Sequence, residues 1–72
     1  MDKSTFLKKL GSQIVKKRIE KGMSQSELAR ASDKDPQSIE RVENGKTNPS
    51  AYYLRQIADA LEIPVKDFFD FK

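Results

Sequence analysis

The sequence contains no cysteine and no histidine, and only three glycines and three prolines among its 72 residues. Without cysteine no disulfide can reinforce the fold, and nothing in the composition points away from a reducing cytoplasm. The usual zinc ligands and the Cys–His and Ser–His catalytic pairs are also absent. A zinc finger is therefore excluded, a hydrolytic enzyme is disfavoured, and no catalytic residue, metal site or cofactor is predicted.

Features of membrane proteins are missing as well. No apolar run approaches the roughly 18 residues that a transmembrane helix needs. The chain begins Met-Asp-Lys-Ser-Thr, and Phe6 and Leu7 are followed by two lysines rather than by the apolar stretch of a signal peptide. We therefore expect no membrane partner.

The length allows one domain, spanning residues 1–72, which buries only about 60% of the surface that its unfolded chain exposes. Basic residues are concentrated at the start of this domain. The first 22 residues hold seven lysines or arginines and two acidic residues, a net charge of +5, against +3 for the whole chain. Such a cluster indicates either a polyanionic partner or simply a solvated helix face, and the composition alone leaves both open.

Apolar residues recur at helical spacing between breaks at Gly22, Gly45 and Pro49, and we interpret the three glycines and three prolines as punctuation. No segment alternates apolar and polar residues as a strand does, so the fold class is all-α. The pattern predicts five short helices, at about residues 4–21, 24–31, 36–44, 50–61 and 64–70. The predicted core-facing residues are Leu7, Leu10, Ile14, Ile19, Leu28, Ala29, Ile39, Val42, Leu54, Ile57, Ala58, Leu61, Val65, Phe68 and Phe69.

Two helix starts carry clear signals. Ser24 and Glu27 have the spacing of a capping box, in which each side chain bonds the other residue's backbone amide. Asp35 precedes Pro36, as an N-cap precedes a proline in the first helical turn. Helices that start so close together must cross steeply, which predicts a helix-turn-helix over about 24–44. The alternative is that these two helices form a purely structural corner with no role in binding.

The third helix separates two kinds of side chain. Helical spacing places Ile39 and Val42 on the inner face, and Gln37, Arg41 and Asn44 on the outer face. Glutamine can bond adenine and arginine can bond guanine through paired hydrogen bonds in the major groove. The outer face is therefore interpreted as a surface that reads bases, although an ordinary solvated face would also be polar.

A charged pair is predicted inside the domain. Glu43 lies four residues after Ile39, and Arg18 lies four residues after Ile14, so both charges point toward the core. A charge on an inner face is costly unless it is paired. We therefore expect an Arg18–Glu43 ion pair with a structural role, joining helix one to the end of helix three.

The segments SQSELA (24–29) and QSIERVENGKT (37–47), at the spacing they have here, resemble the helix-turn-helix of the Cro/C1-type (XRE) family. The segment LRQIADALEIPVKDFF (54–69) is similar to the family's fourth and fifth helices. The likeness covers about residues 7–70 and is strongest to the DNA-binding domains of lambdoid phage repressors. It implies a five-helix lambda-repressor-like fold and a sequence-specific DNA-binding transcriptional regulator, bacterial or phage and associated with the nucleoid.

The resemblance also implies roles for individual residues. It places the helix at 36–44 in the major groove, with a paired arginine and glutamate behind it at Arg18 and Glu43. The implied base contacts are Gln37, Arg41 and the position of Pro36, and the implied phosphate contacts are Gln25, Ser38, Asn44, Lys46 and Thr47. Pro36 can at most touch a thymine methyl, since it has no donor, and Glu40 is expected to accept from a cytosine N4 amine.

The turn before helix three departs from the family pattern. Ser32, Asp33 and Lys34 replace a small or apolar residue, a glycine and an apolar residue. Asp33 can adopt the left-handed conformation that this position needs, whereas Lys34 is expected to remove a core contact. Asp33, Asp35 and Glu40 are also expected to weaken the positive field beside the DNA.

Three of the four phenylalanines lie at the end of the sequence, at 68, 69 and 71. We expect Phe71 to be left over from the core, with Tyr52 or Tyr53 as a neighbour. An apolar surplus suggests a contact with another chain, although a frayed tail would leave the same residue exposed. The expected partners are double-stranded DNA and a second copy of the chain, bound through helices four and five and this phenylalanine cluster. No small-molecule ligand is predicted, and the alternative function is a protein-interaction module such as an antitoxin or antagonist.

Overall fold

The computed structural model describes all 72 residues and contains only helices. The α-helices are α1 (Lys3–Glu20), α2 (Gln25–Ala31), α3 (Pro36–Glu43) and α4 (Ala51–Leu61), and a 3-10 helix follows at Val65–Phe69. The predicted all-α class is confirmed, although the fifth helix has 3-10 rather than α geometry. None of these helices combines the length and the apolar character needed to cross a bilayer.

Every α-helix is preceded by an N-cap residue whose side chain accepts a hydrogen bond from the backbone amide three residues later. The four N-caps are Asp2, Ser24, Asp35 and Ser50. The predicted capping box is confirmed, since the Ser24 hydroxyl accepts from the Glu27 amide at 3.0 Å and the Glu27 carboxylate accepts from the Ser24 amide at 2.8 Å. This backbone hydrogen bond lowers the pKa of Glu27. The predicted cap at Asp35, with Pro36 in the first turn, is confirmed as well.

Each α-helix is followed, within two residues, by a residue with a left-handed backbone. Gly22 and Gly45 follow α1 and α3 with φ of 77° and 71°, while Asp33 and Glu62 take the same conformation after α2 and α4. After α3, the amides of Gly45 and Lys46 donate back to the carbonyls of Val42 and Arg41, as in a Schellman motif. The expected left-handed conformation of Asp33 is confirmed, and the helix-turn-helix keeps its tight turn without a glycine there.

Twelve buried apolar side chains form the core, and they come from all four α-helices and the 3-10 helix. Most of the predicted core residues are among them. The prediction that Ile19 belongs to the core is wrong, because this residue is 62% exposed. Ile19 lies five residues after Ile14, which turns it away from the core. Arg18, four residues after Ile14, takes the inner position instead.

Phe69 is also wrongly predicted as a core residue, since it is 41% exposed while Phe68 is fully buried. A 3-10 helix has three residues per turn, so Val65 and Phe68 share one side and pack on the core. Phe71 lies beyond the end of this helix and packs against the core as well. The ring beside Phe71 is that of Phe6, at 5.5 Å between centroids, rather than Tyr52 or Tyr53. Phe69 stacks on the other side of Phe6 at 6.2 Å.

Gly11 is not punctuation, because it lies inside α1 and is buried. A Cβ atom at this position would stand 2.3 Å from the carbonyl oxygen of Glu43 and 2.7 Å from that of Val42. The backbone of α1 therefore lies directly against the last turn of α3. This approach fixes the end of α3 relative to α1, and so orients the outer face of α3.

Candidate nucleic-acid interface

The outer face of α3 is not covered by any other part of the chain. Gln37, Arg41 and Pro36 are exposed on it, and Asn44 is exposed directly after the helix. On the opposite face Ile39 and Val42 are 1% and 4% exposed. The predicted separation of an apolar and a polar face is therefore present, with an amide and a guanidinium available to a partner.

The predicted Arg18–Glu43 ion pair is confirmed. Arg18 Nε lies 2.7 Å from Glu43 Oε2, and Arg18 Nη2 lies 3.0 Å from Glu43 Oε1. This is the two-bond arrangement in which arginine binds carboxylates most strongly. The pair is largely shielded from water, with 13% of the Arg18 side chain and 2% of the Glu43 side chain exposed.

The same carboxylate holds Gln25, at the first position of α2. Gln25 Nε2 donates to Glu43 Oε1 at 2.8 Å. Arg18 Nη1 donates to the carbonyl of Met23 at 2.9 Å, in the turn between α1 and α2. Glu43 therefore joins α1, α2 and α3. A glutamine amide carries two hydrogens, so one hydrogen on Gln25 Nε2 is left for another acceptor.

The loop after α3 is tied back to the helix by Glu40. The Glu40 carboxylate accepts from the Asn44 amide group, and its Oε2 lies 3.7 Å from Lys46 Nζ. Lys46 is exposed and Thr47 is half-buried. The Glu40 carboxylate, which is expected to bind a cytosine, is thus already in contact with Asn44 and Lys46, which are expected to bind phosphates.

Tyr53 of α4 anchors the start of α3. Its hydroxyl lies 2.8 Å from Ser38 Oγ, and either oxygen can be the donor. Lys34 passes over the Tyr53 ring, with Nζ 4.7 Å from its centroid, and donates to Gln56 Oε1 at 2.6 Å. Burial raises the pKa of the Tyr53 hydroxyl. Lys34 does not belong to the apolar core, as expected, but its long side chain links the turn to α4 through polar contacts.

The predicted residues therefore lie in two connected groups. Gln25, Arg18 and Glu43 form a shielded network behind α3, and the remaining ones lie on α3 or in the loop that follows it. Sequence reasoning missed Tyr53 and Gly11. No sequence signal links Ser38 to Tyr53, which is 15 residues away, whereas a glycine inside a helical pattern can indicate close packing.

Known proteins support the same interpretation of the fold. The chain matches the helix-turn-helix family HTH_3 over residues 14–68. It is similar to the restriction-modification controller protein C.AhdI from Aeromonas hydrophila, with 35% identity, a TM-score of 0.86, and coverage of 88% of this chain and 96% of that one. The restriction-modification controller protein C.Esp1396I is 36% identical over 93% of this chain and 86% of its own, with a TM-score of 0.84.

A further solved structure is that of the clp gene regulator ClgR from C. glutamicum. It is 30% identical, has a TM-score of 0.84, and the alignment covers 89% of this chain and 83% of that one. The family match extends over most of the chain, and it includes the capping box, the turn and the exposed face of α3. This protein belongs to the Cro/C1-type (XRE) family of helix-turn-helix proteins, HTH_3.

Proposed function

We propose that this protein is a sequence-specific DNA-binding regulator of transcription that inserts α3 into the major groove. The observation that carries the proposal is the uncovered outer face of α3, where Gln37 and Arg41 are exposed. The major groove admits a helix and presents a distinct pattern of donors and acceptors for each base pair. The similar proteins are described as controller proteins and a gene regulator, which supports the same function.

Four residues supply the proposed base contacts. The Arg41 guanidinium suits guanine O6 and N7, and the Gln37 amide suits adenine N6 and N7, with about 1–3 kcal/mol of discrimination from each good pair. Pro36 is exposed and offers only apolar contact, which suits a thymine methyl. Glu40 can accept from a cytosine N4 amine if its carboxylate gives up its contacts with the loop.

The proposed phosphate contacts surround these residues and are Gln25, Ser38, Asn44, Lys46 and Thr47. Phosphate contacts fix the position of a protein on DNA, while base contacts select the sequence. Gln25 is well placed for this task, because Glu43 orients its amide and leaves one hydrogen on Nε2 available. Lys46 is exposed on the loop beside the end of α3, where it can add a charge-based contact.

The proposed assembly on DNA is a homodimer formed through α4, the 3-10 helix and the aromatic cluster of Phe6, Phe69 and Phe71. Phe6 is 37% exposed and Phe69 is 41% exposed, although the rings contact each other. Two-fold dimers of helix-turn-helix proteins bind half-sites about one DNA turn apart. A bound dimer would act sterically, by blocking or positioning RNA polymerase at a promoter.

Selection of bound sites from a random duplex library tests this proposal. We expect a palindromic site, with half-sites about 34 Å or a multiple of this apart. Affinity for the selected site should fall by about 10³-fold or more between 50 and 200 mM salt if some six phosphates are contacted. Failure to enrich any sequence, together with an affinity that salt does not change, would contradict DNA recognition.

Two matched variants test the division of roles within the site. Arg41→Ala should relax the preference at one base pair, because it removes a base contact. Lys46→Ala should weaken binding to all sequences alike, because it removes a phosphate contact. Affinities for the selected site and for a set of single-base substitutions distinguish the two effects. An equal loss from both variants on every sequence would refute this assignment.

A protein-interaction module, such as an antitoxin or antagonist, is the second candidate function. The exposed part of the Phe6–Phe69 stack favours it, because exposed aromatic rings are typical of protein interfaces. In that case a partner protein, and not DNA, should bind with high affinity. The salt titration separates the two candidates, since phosphate contacts impose a steep salt dependence.

A further inference from the structure

A row of basic and hydroxyl side chains runs along one side of α1. Its members, which we name the α1 basic row, are Thr5, Lys8, Lys9, Ser12 and Lys16, and they are spaced by the three- and four-residue steps that place side chains on one helix face. All except the half-buried Lys9 are exposed. None of the three lysines forms an ion pair with an aspartate or glutamate side chain. Asp2, the acidic residue at the start of this helix, already accepts from the Thr5 amide as the N-cap.

Backbone contacts hold this row beside the end of α3. A Cβ atom on Gly45 would stand 2.9 Å from Lys8 Cα and Cγ. Gly45 immediately precedes Lys46, the exposed lysine of the loop after α3. One turn further along α1, Gly11 touches the carbonyls of Val42 and Glu43. The α1 basic row is therefore continuous with the surface proposed to bind DNA, and glycines rather than flexible side chains fix this arrangement.

The chemistry of the row suits an anionic partner with many oxygens. Thr5, Lys8, Lys9 and Ser12 line an open cleft of about 380 Å³, together with Gln13, Phe71 and Lys72. Lys9 Nζ donates to a backbone oxygen of Lys72, the last residue of the sequence. The row thus combines ammonium groups with hydroxyl donors, and both are common partners of DNA phosphates.

The length of the row fits a nucleic acid strand. Lys8 and Lys16 are eight residues apart, which is about 12 Å along a helix at 1.5 Å per residue. Successive phosphates of one DNA strand advance by about 3.4 Å along the duplex axis. The row therefore has the length of three to four base pairs, and an extended backbone can follow it beyond the phosphates that the α3 loop would contact.

We propose that the α1 basic row binds the sugar-phosphate backbone of duplex DNA next to the base pairs that α3 reads. This inference rests on the proposed DNA binding and adds to it a second set of phosphate contacts that lengthens the protected segment. It gives three of the seven basic residues among the first 22 a partner. The contacts are with phosphates, so they increase affinity without changing sequence preference.

The test compares wild-type protein with Lys8→Gln/Lys16→Gln on two duplexes that share the selected site. One duplex ends at the site and the other extends about ten base pairs beyond it on both sides. On the extended duplex, the slope of log affinity against log salt should fall by about 1.8 per protomer, because each of two phosphates that are no longer neutralised contributes about 0.9. On the short duplex both proteins should have the same slope, and their base preferences should agree.

Lys3→Gln is the matched control, because it removes an exposed lysine of the same helix outside the row. It should leave both slopes unchanged, and circular dichroism should show that all variants keep the fold. Equal slopes for wild type and the double variant on the extended duplex would overturn the inference while the proposed function stands, leaving the row free for an acidic protein surface. Absence of DNA binding by the wild-type protein would overturn both.

Discussion

Replacement of Glu43 by alanine removes the group that joins three helices. Glu43 accepts two hydrogen bonds from Arg18 and one from Gln25, at distances between 2.7 and 3.0 Å. The Arg18 side chain is only 13% exposed, so its guanidinium would remain in a poorly hydrated place without its counter-charge. The Gln25 amide would also be without the acceptor that orients it.

The expected loss of unfolding free energy in Glu43→Ala is large for a domain of this size. Breaking a buried ion pair by removing one partner costs about 3–5 kcal/mol, mainly because an uncompensated charge stays buried. A domain of 72 residues has a free energy of unfolding of roughly 4–11 kcal/mol, at about 0.05–0.15 kcal/mol per residue. Since each kcal/mol shifts the melting temperature of so small a domain by about 4–8 °C, Glu43→Ala should lower it by at least roughly 12 °C.

Urea and thermal unfolding, followed by the circular dichroism signal of the helices, measure this change. Glu62→Ala is the control, because it removes the partner of Lys21 in an exposed ion pair and should leave stability close to that of the wild-type protein. If Glu43→Ala melts within a few degrees of Glu62→Ala, the network does not stabilise the fold, and the reasoning from burial is wrong.

The double variant Arg18→Met/Glu43→Leu separates stability from DNA binding. Apolar side chains of similar volume often replace a buried ion pair at no cost, so the double variant should recover most of the stability that Glu43→Ala loses. It should nevertheless bind DNA less tightly than the wild-type protein, because Gln25 no longer has the acceptor that orients it. A stable double variant with full DNA affinity would show that Glu43 does not position Gln25.

Four further changes test other interactions. Gly11→Ala should lower the melting temperature, because a Cβ atom 2.3 Å from a backbone oxygen forces α1 and α3 apart at a cost of about 1–3 kcal/mol. Asp33→Gly should raise stability by up to about 1 kcal/mol in urea unfolding, because it relieves a left-handed non-glycine residue. Glu40→Gln should increase affinity for random duplex DNA in a binding titration, because it removes a negative charge and weakens the hold on Asn44 and Lys46. The lowered pKa of Glu27 predicts a stability contribution that is present above its ordinary pKa of 4.5 and is lost as the pH falls through the folded-state value, so acid titration of Glu27→Gln should lack this component.

The sequence predicts those parts of the fold that depend on neighbours a few residues away. Ser24, Asp35 and the breaks at Gly22 and Gly45 act through hydrogen bonds within one turn, and each is found where its signal predicts. The Arg18–Glu43 pair could be predicted despite its sequence separation, because two inward-pointing charges of opposite sign leave few other solutions.

The errors arise where two geometries share one pattern. In so short a segment, apolar side chains at 65, 68 and 69 fit one face of an α-helix, whereas a 3-10 helix keeps only those at 65 and 68 on one side. The segment forms the 3-10 helix, the chain then turns after Phe69, and Phe71 packs on the core and beside Phe6 of α1. No local rule contains this information, because Phe6 lies at the other end of the chain.

Partners of the polar side chains at the proposed interface were the hardest part to predict. Ser38 contacts Tyr53, and Gln25 contacts Glu43, across 15 and 18 residues. A hydrogen bond contributes only about 0.5–1.5 kcal/mol net, so no strong preference in composition marks such pairs. The proposed DNA contact nevertheless depends on them. In the proposed phosphate contact, DNA would either use the hydrogen that Gln25 leaves free or displace Glu43 from the amide, and only the first route keeps the three-helix network intact.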